Sequence, residues 1–93
     1  MITVTHATYV DDFRIRIVLS DGTNGIADFR GRLDGPIFEP LNDPQYLASF
    51  ELTEHTLQWE NGADFAPEYL RDLIHQTESA TDAMQRSRGA GQL

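Results

Sequence analysis

The segment Phe13-Arg14-Ile15-Arg16-Ile17-Val18-Leu19, followed at once by Ser20-Asp21-Gly22, constrains this chain more than any other. Phe13, Ile15, Ile17 and Leu19 alternate with Arg14, Arg16 and Ser20, the period of two that a strand shows when one face is buried and the other solvated. Asp-Gly is a favoured pair for a tight turn whose central residues need positive φ. A β-hairpin is therefore predicted. If Ser20 pairs with Thr23, Ile17 lies opposite Ile26 and both fall on the apolar face. Gly25 marks either a bulge or a weak spot in the returning strand.

The rest of the chain supplies partners for that hairpin. Residues 2–9 are rich in β-branched side chains and read as a preceding strand that the Asp11-Asp12 pair breaks. Between residues 28 and 42, Gly31, Gly35, Pro36 and Pro40 punctuate a segment that still carries Phe29, Leu33, Ile37, Phe38 and Leu41, the pattern of a loop pinned to a core. Asp43-Pro44 is a helix start, because Asp caps free backbone N–H groups and Pro is pre-set for the first helical position; a short helix to about Ala48 follows. Phe50 to Thr53 and Thr56 to Trp59 each alternate around Glu54-His55 and read as a second hairpin. Asn61-Gly62 is a further turn, and from Pro67 the residues Tyr69, Leu70, Leu73 and Ile74 form one apolar helix face. The expected fold class is α+β: a small, mostly antiparallel sheet of two hairpins plus an N-terminal strand, one short helix and one C-terminal amphipathic helix. Residues 1–78 make a single domain in this reading, and 79–93 a partly helical to disordered tail.

Composition narrows the functions open to such a domain. With 93 residues the chain builds one core and has little apolar area left over for a deep cleft. It has no cysteine, so disulfides, thiolate metal sites and thiol nucleophiles are out. The N-terminus lacks the basic region and apolar core of a signal peptide, and no stretch has the length of a membrane span, which makes the cytoplasm the expected location. Fifteen acidic residues against seven Arg give a net charge of −8, a field that opposes direct nucleic-acid binding. The charge is uneven: residues 1–36 hold five acids and four Arg, residues 37–93 ten acids and three Arg.

Two groups of residues are candidates for binding. Arg14 and Arg16 project from the polar face of the best strand, with Arg30 and Arg32 close in sequence; they are either ordinary solvated charge offset by Asp11, Asp12 and Asp28, or a contact patch. Trp59, Asn61 and Asp64 lie in a segment where a strand end, a turn and a helix cap meet, and such a loop on a rigid scaffold also suits recognition. Asp64 or a neighbour is expected to cap the last helix. His6, His55 and His75 make no metal-binding spacing, the carboxylates no calcium loop, and neither a nucleophile elbow nor a phosphate-cradling loop occurs. No catalytic residue, metal or cofactor is expected.

Several of these segments, taken together, carry a resemblance: Ser20-Asp21-Gly22-Thr23, Asp28-Phe29-Arg30, Gly35-Pro36-Ile37-Phe38-Glu39-Pro40-Leu41, and Trp59-Glu60-Asn61-Gly62-Ala63-Asp64-Phe65-Ala66-Pro67-Glu68. Over about residues 1–75 the chain resembles the small bacterial family catalogued as domain of unknown function 2442, departing from it in having Glu60 where the family usually has Pro. The resemblance implies a compact α+β fold and no mechanism. Some members resemble an N-terminal module ahead of a helix-turn-helix domain; the residues that follow the last helix here are too few for one, so none is expected within them. The family's habit of being encoded beside other short proteins implies a protein partner. The expectation from all of this is a non-catalytic protein-interaction module that binds a partner, or itself, through a sheet edge or the loop before the last helix. The alternative is a regulatory or antitoxin-like component docking through Met84 and the tail.

Overall fold

The computed structural model describes residues 1–78. The expected tail, and with it Met84, lies outside the described residues. Three strands, β1 (Val4–Asp11), β2 (Arg14–Leu19) and β3 (Asn24–Asp28), form an antiparallel sheet in the order β1-β2-β3. A 3₁₀ turn at Glu39–Asn42 and the short helix α1 (Pro44–Leu47) lead to β4 (Glu51–Leu52) and β5 (Leu57–Gln58), which pair antiparallel as a separate small sheet. The last helix, α2, is described over residues 67–78. The α+β class and both hairpins are as expected, though the hairpins build two sheets rather than one. Among the described residues no helix is long and apolar enough to cross a membrane.

The first hairpin departs from its expected register. Ile17 faces Gly25 and Ile15 faces Ala27, one step from the predicted pairing of Ile17 with Ile26. The turn is the cause. Leu19 N–H donates to Thr23 O (2.8 Å) and Gly22 N–H to Leu19 O (3.0 Å), so the loop holds three residues and not two. Only Gly22 takes a positive φ, at +93°, while the Asp21 side chain accepts the Thr23 N–H at 2.9 Å. That is the three-residue loop in which a left-handed glycine follows an ordinary turn. A one-residue shift reverses every side chain on the returning strand. Gly25, Ala27 and Phe29 therefore turn inward, and Ile26 turns outward beside Arg16.

Gly25 is not a bulge, because the β2–β3 ladder runs through it without a shift. A Cβ at Gly25 would lie 2.7 Å from Ile74 Cγ2 and 2.5 Å from Glu78 Oε1, so its bareness is what lets α2 settle on the sheet. The helix turns Leu70, Leu73 and Ile74 into the core, and Thr77 Oγ1 accepts the Asp28 N–H (3.1 Å), closing one end of the β3 edge. Asp43 caps α1 as expected, accepting the Gln45 N–H at 3.0 Å. The core is all apolar, running from Ile15, Ile17 and Leu19 on the sheet through Leu47 and Leu57 to Trp59.

Gly25→Ala is expected to cost about 1–3 kcal/mol, the usual scale of overpacking a filled interior. Urea unfolding checks this; a change below about 0.5 kcal/mol, the level of ordinary surface substitutions, would mean that α2 does not press on the strand there.

Candidate interaction surface

The alternation that buries Ile15, Ile17 and Leu19 sends their neighbours to the opposite face of the three-stranded sheet. Cross-strand pairing arranges that face in rows: His6, Val18 and Asn24; Thr8, Arg16 and Ile26; Asp11, Arg14 and Asp28. Val18 and Ile26 are half-buried, and neither is among the partly buried apolar residues that pack against the core. Among the described residues this face has no second layer.

The two candidate arginines share that face but differ in their state. Arg14 binds Asp11 in a fork, Nε to Oδ1 at 2.7 Å and Nη2 to Oδ2 at 2.6 Å. That hydrogen-bonded guanidinium holds the Asp11 carboxyl below its ordinary range. Arg16 reaches no carboxylate and donates to Asn24 Oδ1 at 3.0 Å. Arg30 pairs with Asp12 and lies 5.5 Å over the Phe13 ring, and Arg32 bonds Gln76. Asp11, Asp12, Phe13, Arg14, Asp28 and Arg30 line an open concavity of about 400 Å³ at the β1–β2 turn. Two of the four expected arginines, Arg14 and Arg30, are thus offset by carboxylates there, while Arg16 and Arg32 bond neutral amides, and of these two Arg16 lies on the open sheet face.

The edge of β1 is the second open feature. Leu19 and Phe13 bond across to Thr23 and Phe29, so the odd residues of β2 face β3 and the even ones face β1. His6, Thr8 and Asp11, opposite the even residues, turn their backbone inward, while Ala7 and Tyr9 turn theirs outward. The outer edge is occupied at its start, where Val4 N–H donates to His55 O at 2.8 Å. Beyond Val4 no backbone bond reaches it from the described residues.

The structure separates Trp59, Asn61 and Asp64 from the arginines and from one another in role. Trp59 is only 2% exposed, and its Nε1 donates to Leu47 O at 2.9 Å, satisfying a carbonyl at the end of α1. Its ring is a wall of the core rather than a surface. Asn61 is exposed but fully engaged: its Oδ1 accepts the Ala63 N–H (3.0 Å), its Nδ2 donates to Ile37 O (2.8 Å), and its N–H donates to Tyr46 Oη (3.2 Å). Asp64 is exposed on a single bridge to Gln58. It does not cap α2, because the first helical bond, Leu70 N–H to Ala66 O (3.1 Å), sets Ala66 at the cap position and the bridge holds Asp64 in extended chain ahead of it.

Sequence reasoning missed an exposed aromatic column beside this segment. Phe38 and Phe65 stack at 5.0 Å, and Phe65 and Tyr69 at 5.5 Å. Tyr69, expected on the buried helix face, is 38% exposed, and Ile37, expected to pin its loop, is 47% exposed. The signal was present in the i, i+4 spacing of Phe65 and Tyr69 across the start of α2.

Compared with known proteins, the chain matches a family model described as a protein of unknown function (DUF2442) over residues 4–76. No curated protein and no solved structure matches it.

The Asp11 carboxyl is expected to titrate below the roughly 3.9 of an unstructured aspartate. Its folded value lies below its unfolded one, so the Arg14 pairing contributes stability above the unfolded value and that contribution is lost as pH falls through the folded value. A carboxyl-carbon NMR titration checks this: Arg14→Gln should raise the Asp11 midpoint, and an unchanged midpoint would contradict the assigned cause.

Proposed function

We propose that this chain, which belongs to the DUF2442 family, is a small non-catalytic module that binds another protein, or a second copy of itself, by way of β1. The observation that carries this reading is the outward backbone of Ala7 and Tyr9, on a strand whose far side is held by β2. An extended segment laid along that edge gains main-chain hydrogen bonds, the usual way an exposed strand is used. Bare edges attract unwanted pairing, so proteins commonly blunt or cover them. On the β3 edge Thr77 Oγ1 takes the Asp28 N–H and on the β1 edge His55 O takes the Val4 N–H, and beyond Val4 no backbone bond from the described residues reaches β1. Arg16 and the half-buried Val18 and Ile26 lie on the face that such a partner would extend across. The cytoplasm is part of the same reading, on the sequence grounds given above.

Ala7→Pro is the sharpest variant, since it removes an outward N–H while sparing the ladder to β2. The tagged chain, recovered from its native host at moderate salt, is expected to bring down a stoichiometric small protein or to sediment as a dimer. Ala7→Pro should weaken that association about tenfold or more with an unchanged circular dichroism spectrum, and Arg16→Glu should weaken it to a lesser degree. A clean monomer, or binding that survives Ala7→Pro at full strength, would overturn the proposal.

A further inference from the structure

We propose that the aromatic column Phe38-Phe65-Tyr69, together with Ile37, is a docking site for a cationic peptide segment that carries an apolar or aromatic anchor. The inference rests on reading the domain as an interaction module, but not on the β1 edge.

Three observations converge on this surface. The first is the column itself. Phe65 is 8% exposed and stacks with both other rings, Tyr69 is 38% exposed and Phe38 half-buried, and Ile37, next to Phe38 in the chain, is 47% exposed. Clustered exposed apolar side chains, as opposed to single scattered ones, mark recognition sites, and aromatic anchors dominate their energetics.

Rigidity is the second. The Ile37 carbonyl is tied to Asn61 Nδ2, and Glu39 N–H and Phe38 N–H both donate to Gly35 O, at 3.1 and 3.2 Å. Tyr69 rides on α2 and is stacked nearly parallel to Phe65, at 11° between planes. A surface held in this way loses little conformational entropy when it binds.

Charge is the third observation, and it selects the occupant. Glu39, Asp64 and Glu68 are each next in sequence to a ring of the column, each is exposed, and none is ion-paired among the described residues. Across residues 37–78 nine carboxylates stand against Arg71 alone, and Arg71 is paired with Asp21 at 3.4 Å. An acidic or neutral segment would be repelled or unaided here. A segment with Arg or Lys gains from the rim by Coulomb attraction and from the outer ring face of Tyr69 by cation–π contact.

The test uses the full chain and a short synthetic peptide with alternating Arg and Gly around one central Trp, followed by amide chemical-shift mapping. Two control peptides replace every Arg by Glu, or the Trp by Ala. Shifts are expected to concentrate at Ile37, Phe38 and Tyr69, to be absent with the Glu peptide and to shrink as salt rises. Tyr69→Ala should weaken binding about tenfold or more, the scale of a hot-spot truncation. Ile37→Ser, at a residue too exposed to disturb the core, should weaken it even if Tyr69→Ala proves unstable. Equal binding of the Ala-anchored peptide would reduce the surface to plain charge attraction and overturn the proposal. So would an absence of binding, or shifts confined to Ala7 to Val10, the last of which would leave the β1 reading standing.

Discussion

The Phe65 ring is the point on which the rest of the structure depends. It touches four other rings: Phe29 at the end of β3 (5.1 Å), Phe38 in the long loop (5.0 Å), Trp59 after β5 (5.7 Å) and Tyr69 on α2 (5.5 Å). These come from four separate segments of the chain. Trp59 meets Phe65 edge-on and Tyr69 meets it in a stack, both geometries that aromatic quadrupoles favour. The Trp59 N–H then secures α1 through Leu47 O. With so much apolar matter gathered on one side of a small sheet, no described residue covers the other side. A chain this size has enough for one core layer, and an antiparallel sheet tolerates one wet face. The open face of β1-β2-β3 is thus a consequence of where the aromatics went.

Both turns that shape the surface use one device. In Leu19 to Thr23 and in Trp59 to Ala63, the residue before the loop accepts from the glycine N–H and donates to the carbonyl of the residue after it. In each, the Asp21 or Asn61 side chain accepts the N–H two residues on, and the following glycine takes a φ near +90°. These turns were plain in the sequence as Asp-Gly and Asn-Gly pairs. The register was not, for two physical reasons. Asp-Gly serves a two-residue loop, with both residues at positive φ, as readily as a three-residue loop with only the glycine there, and the choice falls to a side-chain hydrogen bond. The returning strand also misleads: Ile26 is its only large apolar residue, so burial patterning favours turning it inward. The need for small residues at Gly25 and Ala27 arises from α2, a tertiary demand invisible at the level of one strand.

The candidate site was legible in the same uneven way. Alternation alone placed Arg14 and Arg16 together on the polar face, and the nearby aspartates indicated how Arg14 and Arg30 would be neutralised. That Arg16 finds Asn24 instead of a carboxylate depends on the register and was out of reach. Trp59 to Asp64 read as one functional stretch because its residues are adjacent in sequence, yet the strand end buries the first, the turn engages the second and the bridge to Gln58 exposes the third. Tyr69 and Ile37 went unnoticed because apolar residues in a helix stripe or a pinned loop are normally core. Only the arrival of Phe38 and Phe65 from different segments shows where their stripe runs out into solvent.

Residue-resolved amide hydrogen exchange on the isolated chain tests most directly whether β1 presents an open edge. The amides of Ala7 and Tyr9 are expected to exchange quickly, while Thr8 between them, bonded to β2, is protected to nearly the level of the global fold. If all three are protected alike at low protein concentration, the edge is already covered and the account of this domain as a strand-accepting module is contradicted.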